Sequence, residues 1–299
     1  MRHPYNTEGY ARTLPGGDPV FQSEALGVPL RLTPIPGTDW IDACGAYPLS
    51  PELSQCSRET LLEELCTLGV VSLVLVGDPW AEAAPECFDF AKPYKPHHVI
   101  DPDVGPARFS NHHRAEVRRG HRRVEAKEIT LAEHLDPFIA LYDVLIERHG
   151  FSAQHRFGRD HFVWLSKNPD VFPVFGAFLD GTLVSAHIFA LHEDKAYSHL
   201  AASAPEGYKN SAAYAVYDLA IRQLEGMKIT LGGSPDMSKN GTGGGLDAFK
   251  SGFANATRSP HLCGLIVDPD RYQMLCGATS KVSEETGFFP AYRSPALRS

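Results

Sequence analysis

A lysine and two histidines are the residues of this chain whose types and spacing could do chemistry. Lys250 lies in the stretch MKITLGGSPDMSKNGTGGGLDAFKSGF, residues 227–253. That stretch opens as a buried-strand pattern, Ile229-Thr230-Leu231, and breaks at Gly232-Gly233. It crosses a polar loop and breaks again at Gly241 and Gly243-Gly244-Gly245. It resumes with Leu246, Phe249 and Phe253, the spacing of one helical face, with Lys250 among them. A strand ending in glycines brings its backbone N–H and C=O groups close to whatever lies beyond. A lysine just past the loop can reach the same place. His187 and His199 fall in adjoining predicted strands. If both point toward Lys250, one of them can relay the proton from an amine nucleophile. The reading without chemistry is a solvated lysine on a surface loop and two satisfied core histidines.

These groups need strands and helices to hold them, and the second half of the chain supplies the pattern. Asp136 can cap a helix that starts at Pro137, buries Phe138, Tyr142, Leu145 and Ile146, and stops at Gly150. A second helix is expected over 159–167. Strands are expected over 173–179, 182–191 and 195–202, with Asp180-Gly181 as a two-residue hairpin turn. A loop over 203–210 leads to a long helix, 211–224, which carries Tyr214 and Tyr217 on its apolar side. The backbone N–H groups where that helix begins, at Asn210 and Ser211, can bind a phosphate or carboxylate.

The first hundred residues read as an α/β unit. A strand is expected over 28–35, a helix over 58–68 that Gly69 ends, and a buried strand over 70–76. Residues 94–101, with Lys95 and His97, read as an edge segment entering another strand. After Phe253 one more strand, 261–267, precedes a short helix around Tyr272.

Composition excludes several classes. Hydrophobic content of 43% and charged content of 21% over 299 residues suit a soluble globular protein of one large domain or two ordinary ones. Net charge −8 and a pI near 5.9 give no global field for nucleic acid. No signal peptide or bilayer-length apolar run is seen, so a cytoplasmic protein without membrane contact is expected. The six cysteines include no C-x-x-C pair and suit reduced thiols. The 14 histidines show neither H-E-x-x-H nor zinc spacing, so no metal is expected. P-loop, dinucleotide and G-x-S-x-G patterns are absent, and no cofactor is implied.

One local feature departs from the acidic average. Between residues 108 and 127 six arginines and one lysine face only Glu116 and Glu125. Arg114, Arg118 and Arg122 recur every four residues of an expected helix and share a stripe. The stripe is either a structural clamp on a solvated face or a contact for phosphates, of a nucleotide-linked donor or of RNA.

The order strand, Gly-Gly, loop, Gly-Leu-x-x-Phe-Lys-x-x-Phe resembles the late signature of the FemABX-like branch of the GNAT-type N-acyltransferases. Asn111, Arg114, Arg118 and Arg119 resemble that family's entry into its second domain, and Lys95, His97 and Asp101 a segment just before it. The resemblance runs from Trp40 to Val267. It implies an α/β fold, mixed α+β, of two GNAT-like domains with central mixed sheets and a cleft between them. The expected boundaries are 1–125 for an N-terminal GNAT-like domain, 126–262 for the C-terminal GNAT domain, and 263–299 for a segment that returns to the first domain. It further implies an acyltransferase that forms an amide on the amine of a small molecule or peptide, with aminoacyl-tRNA as donor. In the family the lysine of the Phe-Lys pair lies at the transfer centre, a role carried to Lys250, with His187 and His199 as candidate catalytic partners. Phe249, Asn210, Ser211, Gly232, Gly233 and Gly244 are the candidate donor-binding residues. Lys95, His97, Arg114, Arg118 and Tyr214 are the candidates for substrate. One departure bears on the donor: the turn Pro205-Glu206-Gly207-Tyr208-Lys209-Asn210-Ser211 lacks the arginine of an ordinary CoA site. The runner-up donors are acyl-CoA and a carrier-protein thioester, and a non-catalytic ligand-binding GNAT fold is the third reading.

Overall fold

A computed structural model describes residues 2–149, 156–233, 243–277 and 288–294. The polar loop and Gly241 of the glycine-rich stretch, and Gly150 as a helix stop, lie outside the described residues. The chain divides into two compact units, Met1–Tyr94 with Pro260–Ser299, and Lys95–Ser259.

In chain order the first unit forms α1 (Glu8–Ala11), β1 (Val20–Gln22), β2 (Pro29–Pro34), β3 (Ile41–Cys44), α2 (Arg58–Cys66), β4 (Val70–Val76) and β5 (Phe90–Pro93). The second unit follows with β6 (His97–Ile100), α3 (Asn111–His121), β7 (Glu125–Ile129), α4 (Leu135–His149), α5 (Arg159–Ser166) and β8 (Val174–Leu179). It continues through β9 (Thr182–His192), β10 (Lys195–Ser203), α6 (Pro205–Lys209), α7 (Ala212–Gln223), β11 (Lys228–Gly233), α8 (Gly243–Ser251) and β12 (Ala256–Arg258). The chain then returns to the first unit as β13 (His261–Ile266) and α9 (Pro269–Cys276).

The first unit is built on a six-stranded mixed sheet, β1-β2-β3-β4-β13-β5. Its centre is the apolar β4, paired parallel to β3 and antiparallel to the returning β13. Ser57 caps α2 by accepting from the Thr60 N–H, and Gly69, at φ +71°, turns the chain back into β4. Leu61 and Leu65 of α2 pack with Leu73 of β4 and Leu265 of β13 in one buried cluster. The C-terminal residues are fastened to the same unit: Tyr292 and Arg293 both donate to the buried Asp42 carboxylate.

The second unit carries a seven-stranded mixed sheet, β12-β6-β11-β10-β9-β8-β7, antiparallel except between β10 and β11. Asp180 and Gly181 both take positive φ, so the β8–β9 hairpin turns as its Asp-Gly pair requires. Helix α7 packs on the sheet and on α3. At their crossing a Cβ on Gly120 would lie 2.6 Å from the Ser211 carbonyl oxygen, so only glycine lets the two helices meet there.

Three segments differ from the sequence-based expectation. The basic stretch is helical only over Asn111–His121: the Arg123 and Val124 N–H groups both turn back to the Gly120 carbonyl, and the chain re-enters the sheet as β7 with Ile129 buried. Residues 203–210, expected as a loop, contain α6, which Pro205 starts at its first turn. The segment expected at an edge contains β6, which is interior, between β11 and β12. Among the described residues no helix is long and apolar enough to cross a membrane.

Candidate active site

The strands β10 and β11 are parallel neighbours only at their starts. Lys195, Ala196 and Tyr197 pair with Lys228, Ile229 and Thr230, and no pairing follows. Beyond that point β10 stays with β9 as far as Ser203, past a bulge between Ser198 and Leu200. β11 stays with β6 as far as Gly233, past a bulge between Thr230 and Gly232. Two bulges on facing strands open a gap in the sheet, and a gap leaves backbone N–H and C=O groups without strand partners. Gly232 stands at the rim with φ +82°, a conformation that favours glycine.

Lys250 reaches this rim from α8. Its ammonium donates a 2.7 Å hydrogen bond to the Gly233 carbonyl oxygen. A Cβ on Gly232 would lie 3.2 Å from Nζ, so the glycine makes room for the lysine head. Burial lowers the Lys250 pKa to about 8, with Asp247 opposing the shift. An ammonium has three N–H donors, and among the described residues that bond uses one of them. The other two can address an incoming carbonyl oxygen.

His97, on the neighbouring β6, lies beside the same strand end. Its Nδ1 is 3.3 Å from Thr230 Oγ1, and its ring would meet a Cβ on Gly233 at 3.0 Å. Burial, then the charges of Lys250 and His98, lowers its pKa to about 4, so it stays neutral at physiological pH. His98 is 2.8 Å from Asp247 Oδ1 and fastens α8 to β6.

His187, on β9, is 1% exposed. Its Nε2 is 2.8 Å from Ser198 Oγ, and Tyr217 of α7 also hydrogen-bonds Ser198. Its ring packs on Phe189 and Tyr217 at 4.1 and 4.5 Å between centroids. Burial, then the Lys250 charge, lowers its pKa to about 3. His199 goes elsewhere. Successive residues Ser198 and His199 send their side chains to α7 and to α5. His199 meets His161 of α5 through Nε2 atoms 3.3 Å apart, with Phe157 and Phe172 beside it. Ring centres 5.6 Å apart put the two nitrogens nearly head to head, as an N–H···N bond does and as two lone pairs turned to a shared ion do not.

The other residues singled out by sequence divide in the same way. Phe249 packs edge-on against Tyr214 and Tyr217 at 4.9 and 4.8 Å, and its carbonyl accepts from His113 Nε2 at 2.8 Å, so Tyr214 belongs to the aromatic cluster around Phe249. Gly244 is exposed in the first turn of α8, where a Cβ would meet nothing within 4 Å. Ser211 takes φ +57° and donates to Glu116, while Asn210 Nδ2 donates to the Glu206 carbonyl at 2.9 Å, so both are engaged in joining α6, α7 and α3. Lys95 is exposed just ahead of β6. Arg114 turns back to its own helix start, donating to Phe109 O at 2.9 Å and to Asn111. Arg118 is exposed, and among the described residues it pairs with no acid. Arg119 and Arg123 both donate to the Lys209 carbonyl, at 3.2 and 3.3 Å, where α6 ends.

Sequence reasoning missed Ser198, Tyr217, His98 and Asp247 as parts of the site. Tyr217 reads as one more apolar residue of a helix, and Ser198 meets His187 only through the β9–β10 register. The link from His98 to Asp247 spans 149 residues and leaves no local signal.

Comparison with known proteins agrees with this architecture. Residues 111–232 match the family described as an acetyltransferase (GNAT) domain. No curated protein matches the chain. Similar solved structures include the C-terminal domain of a putative lysylphosphatidylglycerol synthetase from Agrobacterium fabrum, at 14% identity over 93% of this chain and 92% of that one, TM-score 0.62. FemX is similar at 13% identity over 91% and 95%, TM-score 0.63. L-PGS from Bacillus licheniformis is similar at 14% identity over 88% of each chain, TM-score 0.59. At such identities the likeness is one of fold. Residues 111–232 thus match an acetyltransferase (GNAT) domain, within a fold that the chain shares with FemX and with the lysylphosphatidylglycerol synthetase domain.

Proposed function

We propose that the chain is an N-acyltransferase that moves an aminoacyl group from its ester on tRNA to the amine of a small molecule or peptide. The observation that carries this reading is the Lys250 ammonium, held at the end of β11 where β10 and β11 part. The neutral acceptor amine attacks the ester carbonyl carbon and forms the C–N bond. The carbonyl electron pair moves to oxygen, next to the Lys250 cation, which stabilises the charge as it develops. The pair then returns, the C–O bond to the ribose breaks, and the proton lost by the amine ends on the ribose oxygen. The products are an amide and uncharged tRNA. Direct attack needs no covalent enzyme intermediate, only the two substrates held together.

Two features support the tRNA ester. The turn before α7 has no arginine to hold a pyrophosphate, and Arg118 offers an exposed cation on α3 that pairs with no acid among the described residues. The name of one similar structure, lysylphosphatidylglycerol synthetase, also describes a lysyl group being joined to an acceptor. The second reading, acyl-CoA as donor, has the acetyltransferase description of residues 111–232 in its favour.

Mass spectrometry of products from purified protein, given an amine pool with charged tRNAs or with acyl-CoAs, separates the two. Aminoacyl amides that vanish on ribonuclease treatment are expected. Turnover that survives ribonuclease and needs only acyl-CoA would replace the donor and leave the role of Lys250 in place.

A further inference from the structure

One peptide bond of α8 is held from outside the helix. α8 ends at Ser251, and the Phe253 N–H, which a continuing helix would give to the Phe249 carbonyl, bonds the Lys250 carbonyl instead, at 3.2 Å. The Phe249 carbonyl is therefore one of the orphaned acceptors of a helix end. His113, in the first turn of α3, takes it up: Nε2 lies 2.8 Å from the oxygen. We propose that His113 is a positioning residue for acyl transfer, holding the Phe249–Lys250 peptide and through it the ammonium that meets the substrate. This rests on the acyl-transfer reading above.

The ring is fixed from every direction. A carbonyl oxygen only accepts, so Nε2 carries a proton. Burial lowers the pKa of the ring from 6.5, and the second nitrogen of the neutral ring is then an acceptor. That nitrogen, Nδ1, lies 2.8 Å from the Ser110 hydroxyl, which donates to it. The same hydroxyl oxygen caps α3 by accepting the His113 N–H at 3.2 Å. Ser110 also gives its backbone N–H to the Gly252 carbonyl at 3.0 Å. The start of α3 thus grips the end of α8 at two carbonyls, those of Phe249 and Gly252. The fit is close: a Cβ on Gly252 would lie 1.9 Å from His113 Cε1, so the ring rests on bare backbone. Phe253 and Tyr214 meet it edge-on, with ring centres 4.6 and 5.1 Å away, and the residue is 4% exposed.

Lys250 is thereby held at both ends. Its head donates to the Gly233 carbonyl at 2.7 Å, and its own amide nitrogen belongs to the peptide whose oxygen His113 holds. A lysine stem is long and flexible, so an ammonium anchored at a strand end keeps its place only while the root of the side chain keeps its own. Another tie of α8, from His98 to Asp247, lies one turn earlier and leaves the end of the helix to His113 and Ser110. A reacting group misplaced by about 1 Å can lose on the order of a hundredfold in rate. Buried, and with both ring nitrogens engaged, His113 acts on transfer through Lys250.

The test is single-turnover transfer from charged tRNA across pH, with tRNA binding measured alongside. His113→Gln places an amide N–H where Nε2 sits, whereas the shorter His113→Asn falls short of the Phe249 oxygen. His113→Asn should lower kcat by roughly ten- to a hundredfold with KM and tRNA binding within about twofold of wild type, and His113→Gln should recover most of the loss. The falling limb that Lys250 sets at about pH 8 should move upward in His113→Asn, because a lysine whose root is loosened gains water. Gly252→Ala, which drives the ring off its seat from the other side, should reproduce both effects, and it decides by the same readings if His113→Asn does not fold. A merely structural role would reduce the active fraction and leave the limb in place. Transfer by His113→Asn at the wild-type rate, or at a reduced rate with an unmoved limb, would overturn the proposal while leaving acyl transfer standing. A wild-type protein that transfers from neither charged tRNA nor acyl-CoA would overturn both.

Discussion

Lys250 donates to the carbonyl oxygen of Gly233, 2.7 Å away and seventeen residues earlier, and so ties α8 to the far end of β11. Among the described residues the ammonium is fixed by the end of a strand and by no carboxylate. A lysine paired to an acid would have its charge neutralised; one held by a carbonyl keeps it for a substrate.

The burial that lowers the Lys250 pKa to about 8 sets a pH dependence. The cation is the working form, so it is present below that value and lost as pH rises through it. The kcat profile should therefore fall above about pH 8. Lys250→Arg stays charged throughout this range and should lose that falling limb, at whatever reduced rate its shape permits. An identical limb in both proteins would assign the titration to another group.

Gly232→Ala tests the rim. The new Cβ would take a φ of +82° and come within 3.2 Å of Nζ. We expect a stability loss of about 1 kcal/mol from the backbone and a fall in kcat of roughly tenfold from displacement of the lysine. Urea titration and single-turnover kinetics measure the two separately, and an unchanged kcat would show that the lysine head has room to spare.

Buried imidazoles make the second unit acid-sensitive. His161 and His187 stay neutral down to about 3, against an ordinary 6.5, because burial penalises the charged ring. The unfolded chain takes up these protons as pH falls below 6.5 and the folded chain does not. Their contribution is therefore full above 6.5 and is lost toward pH 3, with roughly 2 kcal/mol per ring gone by pH 5. His161→Gln should lose less stability between pH 7 and pH 5 than the wild type. Equal losses would place the acid sensitivity outside this ring.

The fold was legible where local signals agree with tertiary demands. Asp180-Gly181, Gly69 and the apolar run of β4 each carry their structure in their own chemistry. The parting of β10 and β11 was not, since two bulges and a register decide it. Lys250, Phe249 and Gly232-Gly233 could be found because a strand that breaks in glycines is visible in a single segment. Ser198 and Tyr217 could not, because their roles exist only after β9, β10 and α7 are packed. The arginine stripe shows the limit of periodicity: spacing placed Arg114 and Arg118 together, but Arg114 is spent on its own helix start.

That division gives a prediction for the basic face. Arg118→Ala should weaken tRNA binding and lower its salt dependence by about one ion, from a wild-type slope on the order of two to four, without a change in melting temperature. Arg114→Ala should instead lower stability by about 1 kcal/mol through its lost contacts to Phe109 and Asn111. Binding of labelled tRNA across a salt series checks the first and urea titration the second. A salt slope that Arg118→Ala leaves unaltered would remove α3 from the donor contact.

The central claim is that Lys250 acts on the transition state of acyl transfer. Lys250→Met, which keeps the length of the side chain and removes its charge, should abolish single-turnover aminoacyl transfer while tRNA binding stays within about twofold of wild type, since the lost interaction belongs mainly to the transition state. Transfer at the wild-type rate in Lys250→Met would contradict the account.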